Sequence, residues 1–339
     1  MYKSEILADS LSPQGNRLTT FKVTFPRIVL SEFNTHRVFS RNSASSRAIP
    51  FEKMVKMVEE NPFIPIAWQK DHKGMQGTEY ITFEDRIWYN KTQWLRARDA
   101  AIEIATDLND MSVTKQLCNR LLEPFMWHTV IITSSEEGLE NFFKLRCPQY
   151  FDGKQHYKSR KDYLKINDPN KAKTYSEEYF RAINDSQADI HIQAIAELMW
   201  DSYNESEPKL LDSGQWHIPN LGHKWDEKEL ANICFSQDEK LKEVYDFSKP
   251  VIDLKIKIAT AHCAKISYNN FGTKIDYEKD IILHDNLLKS KHMSPFEHCA
   301  RAMSNKEYNN YIIIENNKAY PGRCRNFTGF IQYRSMIDG

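Results

Sequence analysis

A chain of 339 residues has room for one large domain or two ordinary ones, and it lies far above the size at which a fold needs disulfides or a metal to hold. Lys and Arg total 46, Asp and Glu also 46, and hydrophobic residues make up 41%, which excludes a disordered tail, a fibrous protein and binding to nucleic acid by bulk charge. No stretch approaches the roughly 18 apolar residues of a membrane span, and the opening MYKSEILADSLSPQGNRLTT lacks the apolar core of a signal peptide, so a cytoplasmic protein with no membrane or nucleic-acid partner is expected.

The first legible element is a strand: Phe21, Val23 and Phe25 alternate with Lys22 and Thr24, Pro26 interrupts, and Ile28, Val29 and Leu30 resume, which predicts one bent or edge strand. Residues 51 to 110 carry helical patterns of mixed quality. Lys115 to Glu123 predicts a helix with Leu117 and Leu121 on one side, stopped by Pro124, and Thr129 to Thr133 predicts a short strand. Ser134 and Glu137 fit a capping box, and Leu139, Phe142, Phe143 and Arg146 follow at helical spacing. Residues 148 to 185 turn polar and predict a surface insertion. In QADIHIQAIAELMW, Ile192, Ile195, Ala196 and Met199 form an apolar face, while Asp189, Gln193 and Glu197 form a polar stripe. Residues 201 to 250 hold scattered Pro, Gly and Trp and predict a long connection; Val251 to Ala264 returns to apolar periodicity.

Three groups of residues could carry chemistry. The six cysteines, at 118, 147, 234, 263, 299 and 324, are scattered without a CxxC pair or a metal-ligand spacing and read as reduced packing thiols. Cys147 before Pro148 invites comparison with a nucleophile, but no paired base can be named for it, so thiol catalysis is not expected. In HMSPFEH, Ser294 is a candidate N-cap, Pro295 suits the first helical position and Glu297 completes a capping box, so a helix should begin here whose free N–H groups could hold an anion, with His292 and His298 alongside. The plain alternative is a capped helix with two surface histidines; a zinc site lacks a third ligand. Finally, THRVFSRNSASSR packs Arg37, Arg41 and Arg47, His36 and four serines into thirteen residues. Arginine forks and hydroxyl donors are what a nucleotide-phosphate pocket requires, whereas the bland alternative is a polar loop of solvated arginines.

These pieces resemble a family. THRVFSRNSASSR looks like the RHRxxSxNExSxR signature of the flavin-dependent thymidylate synthases, and HMSPFEH like that family's HxSPFEH segment. KQLCNR with LLEPF, NFFKLR, and ADIHIQAIA resemble three further elements of it. The order departs from the family, where the segment resembling residues 264–298 precedes the arginine signature, and this looks like a circular permutation with 201–250 as the new joint. The resemblance implies an α+β fold, an antiparallel-type sheet packed with long helices, in one catalytic domain over 1–339 that assembles as a homo-oligomer, a homotetramer in that family, with interfacial sites. It also implies a reaction in which FAD, reduced by NADPH, passes carbon from methylenetetrahydrofolate to dUMP and gives dTMP without a cysteine nucleophile. By position, Ser294, His36, Arg37, Lys144 and Arg146 would contact the flavin with His292 nearby; Glu32, Ser43, Ser45, Ser46, Arg47 and Arg120 would contact the nucleotide; Gln193 would face the pyrimidine.

Several positions depart from the family pattern. Thr35 replaces its first arginine, Ser43 a glutamate, Ala48 a tyrosine, Lys144 an asparagine and Glu32 a glutamine. Gln193 replaces an arginine that stabilises negative charge on the uracil edge, which a neutral amide does less well. Two alternatives therefore stand beside dUMP methylation: methylation or hydroxymethylation of another pyrimidine deoxynucleotide such as dCMP, and a catalytically silent nucleotide-binding or nucleic-acid-associated protein.

Overall fold

The computed structural model describes residues 1–74, 77–167, 175–219, 224–237, 248–268, 276–315, 318–321 and 326–338. In chain order the elements are β1 (Lys3–Leu11), β2 (Arg17–Pro26), α1 (Leu30–Phe33), β3 (Ser40–Ser43), α2 (Phe51–Glu60), α3 (Glu84–Asp110), α4 (Lys115–Leu121), β4 (Trp127–Ser135), α5 (Glu136–Arg146), β5 (Tyr150–Phe151), β6 (His156–Tyr157), α6 (Arg160–Asn167), α7 (Glu177–Ala182) and α8 (Ile190–Glu205). They continue with β7 (Lys209–Leu210), β8 (Trp216–His217), α9 (Glu227–Gln237), α10 (Ser248–Lys265), α11 (Tyr277–Lys289), β9 (Ala300–Ala302), α12 (Asn305–Tyr311), β10 (Ile312–Glu315), β11 (Lys318–Pro321), β12 (Phe330–Gln332) and α13 (Tyr333–Asp338). The central sheet has the order β3-β4-β2-β1-β7, antiparallel except for the β1–β7 pair, and a three-stranded sheet β12-β9-β8 lies beside it. This is the expected α+β class. None of the described helices is long and apolar enough to cross a membrane.

Strand alternation sorts the sheet into two faces. Phe21, Val23 and Phe25 of β2 with Val130 and Ile132 of β4 pack against Phe142 and Phe143 of α5 and Ile192, Ile195 and Met199 of α8. On the opposite face Leu7 and Ile131 meet Cys263 of α10 and Ile266. The helices α5 and α8 thus bury the apolar sides that their spacing predicts.

Other local expectations give way to packing. After Pro26 the chain forms a 3-10 turn and α1 rather than a second strand segment, because Phe33 is pulled into the core, stacked on Phe25 at 4.7 Å between ring centroids. Helix α4 runs as expected, but Leu117 and Leu121 are exposed while Cys118, Asn119 and Leu122 are buried. Ser134 ends inside β4 with its hydroxyl on the Ser135 carbonyl, so α5 starts one residue later and no side chain caps it. The 201–250 stretch is not a bare connection: it holds the end of α8, the two short strands β7 and β8, all of α9 and the start of α10, and its residues 220–223 and 238–247 lie outside the described residues. The polar 148–185 stretch folds over α8, and its residues 168–174 and Cys324 likewise lie outside.

Candidate functional site

Strand β3 joins the two segments that the sequence singles out. Its register against β4 places Ser40 and Asn42 on the face toward α10 and Arg41 on the face toward α5. From the first face, the Asn42 amide lies 3.3 Å from Ser294 Oγ and 3.0 Å from His298 Nε2. Ser45 N donates to the Ser267 carbonyl at 3.1 Å. Residues 21–47 and 264–303 therefore share one body despite a separation of 252 positions between Asn42 and Ser294.

On the other side, Arg146 at the end of α5 donates from Nε to His36 Nε2 at 3.1 Å and from Nη2 to Thr35 Oγ1 at 3.3 Å. His36 is buried edge-on to Phe142, with ring centroids 4.8 Å apart. Burial first, then the charges of Arg146 and Arg41, pushes its imidazole down to about 4, so it stays neutral and can accept. Glu32 on α1 is half-buried, and burial together with Asp189 raises its carboxyl against the opposing pull of Arg146 and His191. Arg37 and Lys144 are exposed, and among the described residues neither forms an ion pair.

The two arginines assigned to a monophosphate are brought together by one residue between them. Asn119, fully buried on α4, donates from Nδ2 to the carbonyls of Ser46 at 2.7 Å and Ile49 at 2.9 Å. That amide fixes the chain one residue from Arg47 on one side and one residue from Arg120 on the other. Both guanidinium groups are exposed and, among the described residues, unpaired. Ser46 is consumed by the fold, donating to Glu123 at 2.5 Å, whereas Ser43 and Ser45 are half-buried with hydroxyls free of partners among the described residues. The arrangement offers cations and hydroxyls to an anion. Asn119 sits in the LCNR stretch that sequence reading used only for its arginine; nothing in an Asn within a helix marks it as a fastener.

One expectation fails here. Ser294 does not cap a helix: residues Ser294–Glu297 form a single 3-10 turn with no side-chain cap, Glu297 pairs with Arg334, and the chain turns into β9. The local signal loses because Pro295 and Phe296 are buried and His298 is drawn fully into the core. No helix N-terminus is left to hold an anion, and His292 is exposed. Gln193, expected to face a pyrimidine, is 3% exposed. Its Oε1 accepts from Asn184 at 2.7 Å and its Nε2 donates to the Ala188 carbonyl at 2.6 Å, so both ends of the amide serve the turn that enters α8. It lines only a small cleft of about 50 Å³ with Tyr150, Arg160 and Glu197. Covering by the 148–185 stretch is what buried the predicted stripe, and Glu197, held from solvent there, has its carboxyl raised to about 7.

The five described cysteines are all buried, and burial pushes the thiols of Cys147 and Cys263 far up, that of Cys234 up and that of Cys299 to about 12. Among the described residues no cluster of His, Cys, Asp and Glu could hold a metal ion.

No family model matches this sequence, and no curated protein does. Among solved structures, the chain is similar to a UMP/dUMP methylase, PolB from Streptomyces cacaoi, bound with 5-Br dUMP, at TM-score 0.39 and 16% identity over 56% of this chain and 66% of that one. The same methylase bound with 5-Br UMP gives TM-score 0.41 and 16% identity over 60% of this chain and 90% of that one. Thymidylate Synthase X from Helicobacter pylori with FAD and dUMP gives 0.31 and 12% over 55% and 67%. At these values the likeness assigns no activity; that has to rest on the residues themselves.

Proposed function

We propose that the chain is a flavin-dependent pyrimidine deoxynucleotide methyltransferase that converts dUMP to dTMP. The observation that carries this reading is the pair of exposed arginines Arg47 and Arg120, unpaired among the described residues, whose backbones Asn119 ties together by linking α4 to the loop after β3. The donor set fits the cofactor and the substrate: Arg37, Lys144 and Arg146 are matched to an anionic dinucleotide, and Arg47, Arg120, Ser43 and Ser45 to a monophosphate. FAD bound there, with NADPH and methylenetetrahydrofolate, would supply the hydride and the carbon. The chain's own part is to orient: Arg146 is steered by His36, which is neutral and can only accept from it.

Gln193 carries no catalytic step in this reading, because its amide is spent on Asn184 and Ala188. Leu117 and Leu121, 57% and 40% exposed on either side of Arg120, support a site completed at a contact between subunits. We read the element order as a circular permutation, supported by the juxtaposition of Asn42 and Ser294. The test is the absorbance of protein reconstituted with FAD and titrated with dUMP. Retained flavin that is perturbed by dUMP supports the reading; nucleotide binding without any flavin binding would leave a silent nucleotide-binding protein.

A further inference from the structure

A single file of polar side chains crosses the buried face of the sheet. Asn42 on β3 meets His298 Nε2 at 3.0 Å, and His298 Nδ1 meets Thr133 Oγ1 on β4 at 2.8 Å. Thr133 meets Thr20 Oγ1 on β2 at 2.7 Å, Thr20 meets His217 Nε2 at 2.8 Å, and His217 Nδ1 meets Ser10 Oγ on β1 at 2.9 Å. None of the six residues is more than 5% exposed. Burial, the larger cause for each, holds His217 down at about 4 and His298 at about 3, and the second is lowered further by the first, so both imidazoles are neutral and each has one donor and one acceptor.

The direction of this file is fixed at one end. The Asn42 amide atom that faces His298 Nε2 also lies 3.1 Å from the Arg41 carbonyl oxygen and 3.0 Å from the Ser294 carbonyl oxygen. Only the NH2 end suits two carbonyls, and an Nε2–H aimed at that NH2 would find no acceptor, so His298 Nε2 carries the lone pair, its Nδ1–H donates to Thr133, and each hydroxyl in turn donates onward until His217 Nδ1–H reaches Ser10. The amide oxygen of Asn42 is then turned to Ser294 Oγ at 3.3 Å, as an acceptor. We propose that this one-way chain makes His298 and His217 positioning residues, which carry their protons on Nδ1 and together hold the Asn42 amide in the orientation that sets the hydrogen-bonding role of the Ser294 hydroxyl. Its relevance to flavin rests on the function proposed above; the tautomers do not.

Nitrogen-15 NMR of histidine-labelled full-length protein near neutral pH reads both tautomers, with His217→Gln and His298→Gln used only to assign the signals. Nδ1–H on both rings is expected. Thr20→Val, nearly the same shape, should leave His298 unchanged and release His217 from its single tautomer. Asn42→Asp, which can only accept, should move the proton to Nε2 on both rings and weaken FAD about fivefold, a change of about 1 kcal/mol. Opposite tautomers in the wild type, Nε2–H on both, or a His217 signal indifferent to Thr20→Val would overturn the chain. Unchanged FAD affinity in Asn42→Asp, with the tautomers moved as expected, would overturn the positioning role. Failure of the wild type to bind FAD would instead sink the functional reading and leave the tautomer result standing.

Discussion

Strand β3 and the loops on either side of it treat polar residues in opposite ways. Toward α10, Asn42 and the histidines behind it sit in a dry row where every polar atom is answered by another from the protein. Beyond the strand, the same thirteen-residue segment releases Arg37 and Arg47 to the surface with no partner among the described residues. The lesson is that a dense polar run in sequence is two different things at once. Buried members that find internal partners specify the fold, because an unmet polar group there costs about 1–3 kcal/mol. Exposed members without partners are what remains for a ligand.

The largest effect that could break this comparison is acid. Burial holds His36 and His217 at about 4 and His128 and His298 at about 3, below the ordinary 6.5. The unfolded chain therefore binds protons that the folded chain refuses, and the stability these groups contribute is present above 6.5 and lost as pH falls toward 4. Glu197, raised to about 7, works in the opposite sense, losing stability as pH rises from 4.5 to 7. Glu32, raised as well, works with Glu197, and each group tilts the profile by at most about 1.4 kcal/mol per pH unit, so the more numerous lowered histidines pull stability down toward acid. Denaturant midpoints should fall steeply between pH 6.5 and 5, and a flat profile would mean the row is wet.

Next in size is ligand affinity on the exposed side. Arg47→Ala and Arg120→Ala should each weaken dUMP by about 1.5–3 kcal/mol, the range for hydrogen bonds to charged groups, and leave deoxyuridine almost unaffected. Calorimetry with nucleotide and nucleoside separates the two; equal losses for both would remove the arginines from the phosphate.

What could be read from the sequence follows the same division. The helices α5 and α8 were legible because apolar spacing alone decides which face is buried, and the closeness of residues 264–303 to β3 followed from the motif resemblance. The helix at Ser294 was misread because a capping pattern is local, whereas the burial of Phe296 and His298 is decided by strands far away in sequence. The internal partners of Gln193 are not legible, because Asn184 reaches it from the 148–185 stretch that covers its stripe. The row from Ser10 to Asn42 is invisible in the sequence, since its six members come from six separate segments that only the folded sheet brings into line.

Asn119 stands on the border between the two classes. Buried and bonded to Ser46 and Ile49, it belongs to the fold; its neighbours Arg47 and Arg120 do not. Asn119→Ala should cost about 1–3 kcal/mol of stability by leaving buried carbonyls unmet, and should weaken dUMP as well because the arginines lose their common anchor. A chemical denaturation curve with a dUMP titration on the same variant tests both halves, and lost stability with intact dUMP affinity would mean that Asn119 does not align the pair.

The smallest expected effect is the sharpest test of the division. Arg37 is exposed, and its side chain has no hydrogen bond or ion pair among the described residues, so its charge does nothing for the fold that water would not do equally well. Arg37→Ala should therefore shift stability by no more than about 0.5 kcal/mol, the usual range for surface substitutions away from special features. The same change should weaken FAD measurably, because an anionic ligand would be the only partner the guanidinium has. Thermal unfolding without ligand isolates the first quantity. A loss well above that range would place Arg37 with the buried row as a residue of the fold, and the distinction between β3 and the loops beside it would fail at the position where it predicts the least.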